Sequence, residues 1–275
     1  ASVANILRIK MRLGLFENPY PVKEDKSVIL HQDHLDIARQ LAAQSVVMLK
    51  NDAQTLPVSG KTKKIALIGP LADSKIDQMG TWVPDGEAKD CITILEALKK
   101  NSKNIEINYK KGLESCRSLD TKHFNAAVKA AKNADLAVMV MGEDYLISGE
   151  AHCRAFIGLP GVQEELIEKV SQTGTPIVLV IMAGRPLTFP DIIPKVNTLL
   201  YAWHPGTIAG PALSDVLLGN IVPSGKLTVT FPKTVGQIPV YYNHKNTGRP
   251  PSKEMMGIPI GTPEDPKDYL SYYLD

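Results

Sequence analysis

Residues 135–163 read DLAVMVMGEDYLISGEAHCRAFIGLPGVQ, and the reading of this stretch decides the fold. Leu136 to Met141 is an uninterrupted apolar run, too short to cross a membrane and without the alternation of a strand that wets one face. Such a run fits a central strand of a parallel sheet, buried on both sides. Gly142 ends it. The polar segment that follows carries Glu143, Asp144, Ser148, Gly149, Glu150, His152 and Arg154, and Pro160 and Gly161 then introduce a helix expected over 162–170. In open α/β sheets ligands sit beyond the carboxyl ends of the strands. This loop leaves such an end and is where a site is expected.

Working outward, the same alternation recurs. Strands are expected over 65–68, 105–109, 177–182 and 198–203, with helices over 92–100, 124–134 and 208–218. A βα series of this kind predicts a three-layer α/β/α sandwich around a mainly parallel sheet of five or six strands. Upstream, Leu35, Ala38, Leu41, Ala42, Ser45, Val46 and Leu49 recur at helical spacing, which predicts a helix capped by Asp33 and running to about Asn51. Residues 1–20 read as a short amphipathic helix lacking a partner upstream. Residues 238–242 read as a short extended piece. From Asn243 to Lys267 the chain is rich in Pro, Gly and charge, as in a linker or tail, and Tyr269, Tyr272 and Tyr273 follow it.

Composition narrows the function. The 275 residues are 44% apolar, enough for a large core. The formal charge of +2, from 31 basic and 29 acidic residues, gives no electrostatic case for nucleic acid or an anionic membrane. No apolar segment reaches the roughly 18 residues of a membrane helix. Cys91, Cys116 and Cys153 are too few and too scattered for a disulfide framework or a zinc site, although one bridge can form. GPLAD, rather than a glycine fingerprint, follows Ile68, and GxxxxGK[ST] and GxSxG motifs are absent. Dinucleotide, P-loop and α/β-hydrolase chemistry therefore lack support. Of the histidines, only His31 and His34 have ligand spacing, and they lie at a helix start where solvent exposure accounts for them.

Several segments, in order, resemble the recurrent text of one family. They are ILRIK (6–10), RLGLFENPY (12–20), SVVMLKNDAQTLPV (45–58), IALIGPLAD (65–73), SGEAHCRAFIGLPGVQ (148–163), AGRPL (183–187) and WHPGTIAGPALSDVLLGNIVPSGKLTVTFPKTVGQIPVYYNH (203–244). Together they resemble the second, α/β sandwich domain of family 3 glycoside hydrolases, the β-glucosidase and β-xylosidase type. The resemblance implies that residues 1–31 are the last helix and exit linker of an upstream (β/α)8 barrel, that 32–242 are the sandwich, and that 243–275 lead toward a further domain. It also implies a retaining β-glycosidase whose nucleophilic aspartate lies in the barrel, outside this chain. The partners implied are that barrel and a β-glucoside or oligosaccharide, with no metal, no organic cofactor and no nucleic acid or membrane partner. The family's habits suggest a periplasmic or secreted setting, and a cytoplasmic member would carry the same domain.

Retaining glycosidases use two carboxyl groups about 5–5.5 Å apart, one attacking the anomeric carbon and one protonating the leaving oxygen. Glu150, in SGEAHCR, matches the position from which the family's acid/base glutamate is usually supplied, and it is the first choice. The alternative for it is a surface glutamate on a flexible loop. Glu143 is the runner-up, with a structural carboxylate accepting backbone N–H bonds as its other reading. Arg154 can bind a sugar hydroxyl or pair with a loop carboxylate. Trp203 and His204, at another strand end, can line a pocket, with core packing the simpler role for Trp203. The glycines and prolines of GRPL, HPG and PSGK set backbone geometry. Asp215, inside a helical pattern, reads as a solvated or capping group.

Overall fold

Residues 65–68, 136–142, 177–182 and 198–201 are buried on both faces, so the sheet that these inner strands form must be covered on both sides. The computed structural model describes residues 2–20, 26–243 and 245, in two units, 1–37 and 38–275. The tail tyrosines Tyr269, Tyr272 and Tyr273 lie outside the described residues. In the first unit, helix α1 (Ser2–Arg12) buries none of its own residues and carries Lys10 and Arg12 in its last turn, where cations suit the helix dipole.

Helix α2 (Gln32–Ser45) begins two residues earlier than a cap at Asp33 requires, leaving Asp33 in its first turn. It also ends at Ser45, short of the expected Asn51. Val47–Asn51 forms strand β1 instead. β-Branched Val46 and Val47 are weak helix formers, and the segment gains an antiparallel ladder, Val47 facing Tyr201 and Asn51 facing Thr198. Tertiary pairing outweighs the helical spacing there.

The remaining elements are β2 (Lys64–Ile68), α3 (Ile94–Asn101), β3 (Glu106–Lys110), α4 (Phe124–Lys132), β4 (Leu136–Gly142), α5 (Gln163–Ser171), β5 (Ile177–Met182), β6 (Thr198–Tyr201) and α6 (Ala209–Leu218). The sheet has six strands in the order β1-β6-β5-β4-β2-β3. Every pairing except β1 with β6 is parallel. Alternate residues of β4 face different layers. Ala137, Met139 and Met141 pack with Ala127 and Ala131 of α4 and Leu166 and Val170 of α5. Leu136, Val138 and Val140 pack with Ile94 and Leu98 of α3 and Leu213 and Leu217 of α6. The sandwich therefore has three layers, as expected. Helix α3 starts at a capping box, Thr93 accepting from the Glu96 N–H while the Glu96 carboxylate accepts from the Thr93 N–H.

Three local expectations change. Strand β6 stops at Tyr201, because Trp203 adopts φ 57 and turns the chain away from the sheet. Residues 238–242 form no strand. Asp215 is buried, not solvated: Arg39 grips it with two hydrogen bonds of 2.6 and 2.7 Å, and Asn220 adds a third at 3.1 Å. Cys91, Cys116 and Cys153 are all free thiols. His31 and His34 are exposed, in line with their reading. Among the described residues, no helix is long and apolar enough to cross a membrane.

Candidate active site

The site is built where β4 and β5 end. Gly142 closes β4 at φ 140, so close to β5 that a Cβ there would lie 1.9 Å from the Met182 carbonyl oxygen. A side chain does not fit this approach. Wholly buried Gln163 then fastens the strand end to the start of α5. Its Oε1 accepts from the Gly142 N–H at 2.8 Å, and its Nε2 faces the carbonyls of Gly142, Cys116 and Pro160 at 2.7, 2.9 and 3.0 Å. Gln163→Leu is expected to orphan these buried backbone groups and cost on the order of 3 kcal/mol. The check is a urea titration, where the midpoint should fall with an unchanged slope.

Glu143, directly after Gly142, has a fully buried side chain, and among the described residues its partners are arginine side chains. Arg154 Nη1 donates to Oε1 at 2.6 Å and Arg185 Nε to Oε2 at 3.2 Å. The donors seen are side-chain cations, and two guanidinium groups offset the desolvation of a buried charge better than dipoles alone. Arg154 also donates to the Gly158 carbonyl at 3.0 Å, which commits it to the loop's own structure. Of its two sequence readings, the structure brings it to the carboxylate.

Asp144 is likewise buried. It accepts from Arg117 Nε at 2.7 Å and from the Leu146 N–H at 3.1 Å, capping the turn Tyr145–Ile147. A connection between β2 and α3 supplies the other wall. Asp77 accepts from the Tyr145 N–H at 3.1 Å, and the Thr81 hydroxyl donates toward the carbonyls of Tyr145 and Ser148.

Glu150 stands at the crown of the loop and is exposed. Its neighbours Gly149 and Ala151 have φ 100 and 63, and the His152 N–H closes the turn onto the Gly149 carbonyl at 3.2 Å. Strain at Ala151, a residue with a Cβ in the left-handed region, requires support from elsewhere. The His152 ring bonds the Ser148 carbonyl at 2.7 Å. His204 lies 3.4 Å from the Ser148 hydroxyl, and burial holds its imidazole below the usual pKa against the opposing pull of Asp77. Trp203 is half-buried and packs edge-on against Tyr201, with ring centres 4.8 Å apart, so its role is packing. Among the described residues, no group of three or more His, Cys, Asp or Glu side chains can hold a metal ion.

Arg185, Gln163, Arg117 and Asp77 carry no motif in the sequence. A cation soon after a buried strand, as in AGRPL, is the one available signal.

Residues 46–269 match the glycosyl hydrolase family 3 C-terminal domain. A periplasmic β-glucosidase of Salmonella typhimurium is 38% identical over 98% of this chain and 37% of its own length. A β-xylosidase of Formosa agariphila is 37% identical over 88% of this chain and 34% of its own length. The crystal structure of β-glucosidase from Listeria innocua in complex with glucose superposes with a TM-score of 0.85 at 38% identity, covering 98% of this chain and 35% of that one. The chain therefore spans about a third of the length of these relatives.

Proposed function

The chain belongs to glycoside hydrolase family 3 as its C-terminal domain, and from that premise we propose that it completes the active site of a retaining β-glycosidase, with β-glucosides as substrates. The observation that carries this reading is the contrast between two glutamates of one loop. Glu143 is sealed under two arginines, whereas Glu150 projects into solvent from the carboxyl end of the sheet. Of these two, Glu150 alone has a carboxyl group free to meet a substrate.

In this mechanism a barrel domain binds the sugar and supplies the nucleophile. As that carboxylate attacks the anomeric carbon, Glu150 donates its proton to the glycosidic oxygen, and the aglycone leaves as an alcohol. Glu150, now ionised, takes a proton from water as the water attacks the glycosyl-enzyme, releasing the sugar with retained configuration. Arg154 serves the loop rather than the sugar. The chain by itself lacks a nucleophile and is inactive in this reading. The name of the Salmonella relative supports a periplasmic or secreted setting.

A β-xylosidase is the second reading, favoured by the Formosa relative at 37% identity. The test is hydrolysis of aryl β-glucosides and β-xylosides by the chain alone, by the barrel alone and by the chain joined to its barrel. Turnover of the glucoside by the joined protein only is the expected result. Preference for the xyloside transfers the assignment to that sugar. Equal turnover by the barrel without this domain makes the domain a noncatalytic scaffold and overturns the reading.

A further inference from the structure

One guanidinium spans the loop that carries Glu150. Arg185 Nη2 donates to the Ile147 carbonyl on one side and to the His152 carbonyl, at 2.9 Å, on the other. Its Nε is held by Glu143, and its own carbonyl accepts the Tyr201 hydroxyl from β6. Burial raises the pKa of that phenol, which keeps it a donor. The crown residues Gly149 and Ala151 are both in the left-handed region, a geometry that a short exposed turn keeps only when its feet are fixed. We propose that Arg185 is a positioning residue for catalysis, which clamps both feet of the 147–152 arch and so sets where the Glu150 carboxyl meets the leaving oxygen. The inference rests on the reading of Glu150 as the acid/base.

The chemistry favours arginine over lysine at this place. A planar fork reaches two carbonyls and a carboxylate at once, whereas an ammonium group on a flexible stem acts as a single point charge. Misplacing a general acid by about 1 Å can cost on the order of 10²-fold in rate.

The test compares Arg185→Lys, Arg185→Met and Glu150→Gln in the barrel-joined protein, on one aryl β-glucoside with a poor leaving group and one with an activated leaving group. Arg185→Met is expected to lower kcat/KM, which reports the first step, for the poor substrate by about 10–100-fold, while kcat/KM for the activated substrate changes by less than about threefold. Arg185→Lys should fall between it and the unmodified protein. Should the Met variant fail to fold, the Lys variant carries the comparison. Amide hydrogen exchange on the variants should also quicken over residues 148–152 more than over β4. A parallel loss of kcat/KM on both substrates, or no loss on either, means that Arg185 is only structural and overturns the inference. Absence of a selective effect in Glu150→Gln overturns the reading of Glu150 itself. A selective effect there without one at Arg185 overturns the clamp alone.

Discussion

Glu150→Gln, in the chain joined to its barrel, is expected to lower turnover of a poor-leaving aryl β-glucoside by on the order of 10²-fold or more. An activated aryl glucoside should lose far less in its first step, because a stable leaving anion does not need a proton. The substitution keeps the shape of the side chain and removes only the acid. Since Glu150 is exposed on a turn, its replacement should leave stability within about 0.5 kcal/mol, so lost activity will not reflect unfolding. Leaving-group dependence is the measurement that decides. If both substrates are barely affected, the proton comes from a barrel group and the domain is left with a structural or binding role.

The second large effect is on stability. Glu143→Ala should destabilise the sandwich by about 3–5 kcal/mol, because it removes the carboxylate that two partly buried guanidinium groups share. Arg154 and Arg185 retain only 17% and 20% of their side-chain exposure, so water compensates them poorly. For a domain of this size the loss corresponds to a drop in Tm of roughly 10 °C. Replacing all three residues together with Leu, Met and Met should recover much of that stability, because no unpaired charge then remains. Turnover should not recover with it. Calorimetry and kinetics on the same proteins would separate the two contributions. A small loss in Glu143→Ala would mean that the guanidiniums find other acceptors, and that the clamp is weaker than its geometry indicates.

How far the site was legible follows from what each residue's signal consisted of. Glu150 was marked by its neighbours in the text, SGEAHCR after a buried strand, and its exposure agrees with a loop crown. Glu143 was marked only by its place after β4, so its burial was foreseeable but its partners were not. Arg185 lies 42 positions further on, and only the parallel pairing of β4 with β5 brings the two strand ends together. Arg39 and Asp215 are 176 positions apart, and a lone aspartate in an amphipathic pattern looks solvated until the helix facing it is known.

The sequence by itself determined the layered α/β class, most of the strands and helices, and the family. Apolar runs and helical spacing record how much of each segment is buried, and burial is a local demand that each residue type carries with it. What only the tertiary structure decided is which buried or half-buried group meets which. Strand β1 exists because β6 offers it an edge, although its own spacing suits a helix. The charged clamp under Glu150 exists because the loops after β4 and β5 converge at one end of the sheet. A hydrogen bond or ion pair depends on distances of a few ångströms between segments far apart in the chain, and those distances are properties of the packed topology, not of any stretch of residues.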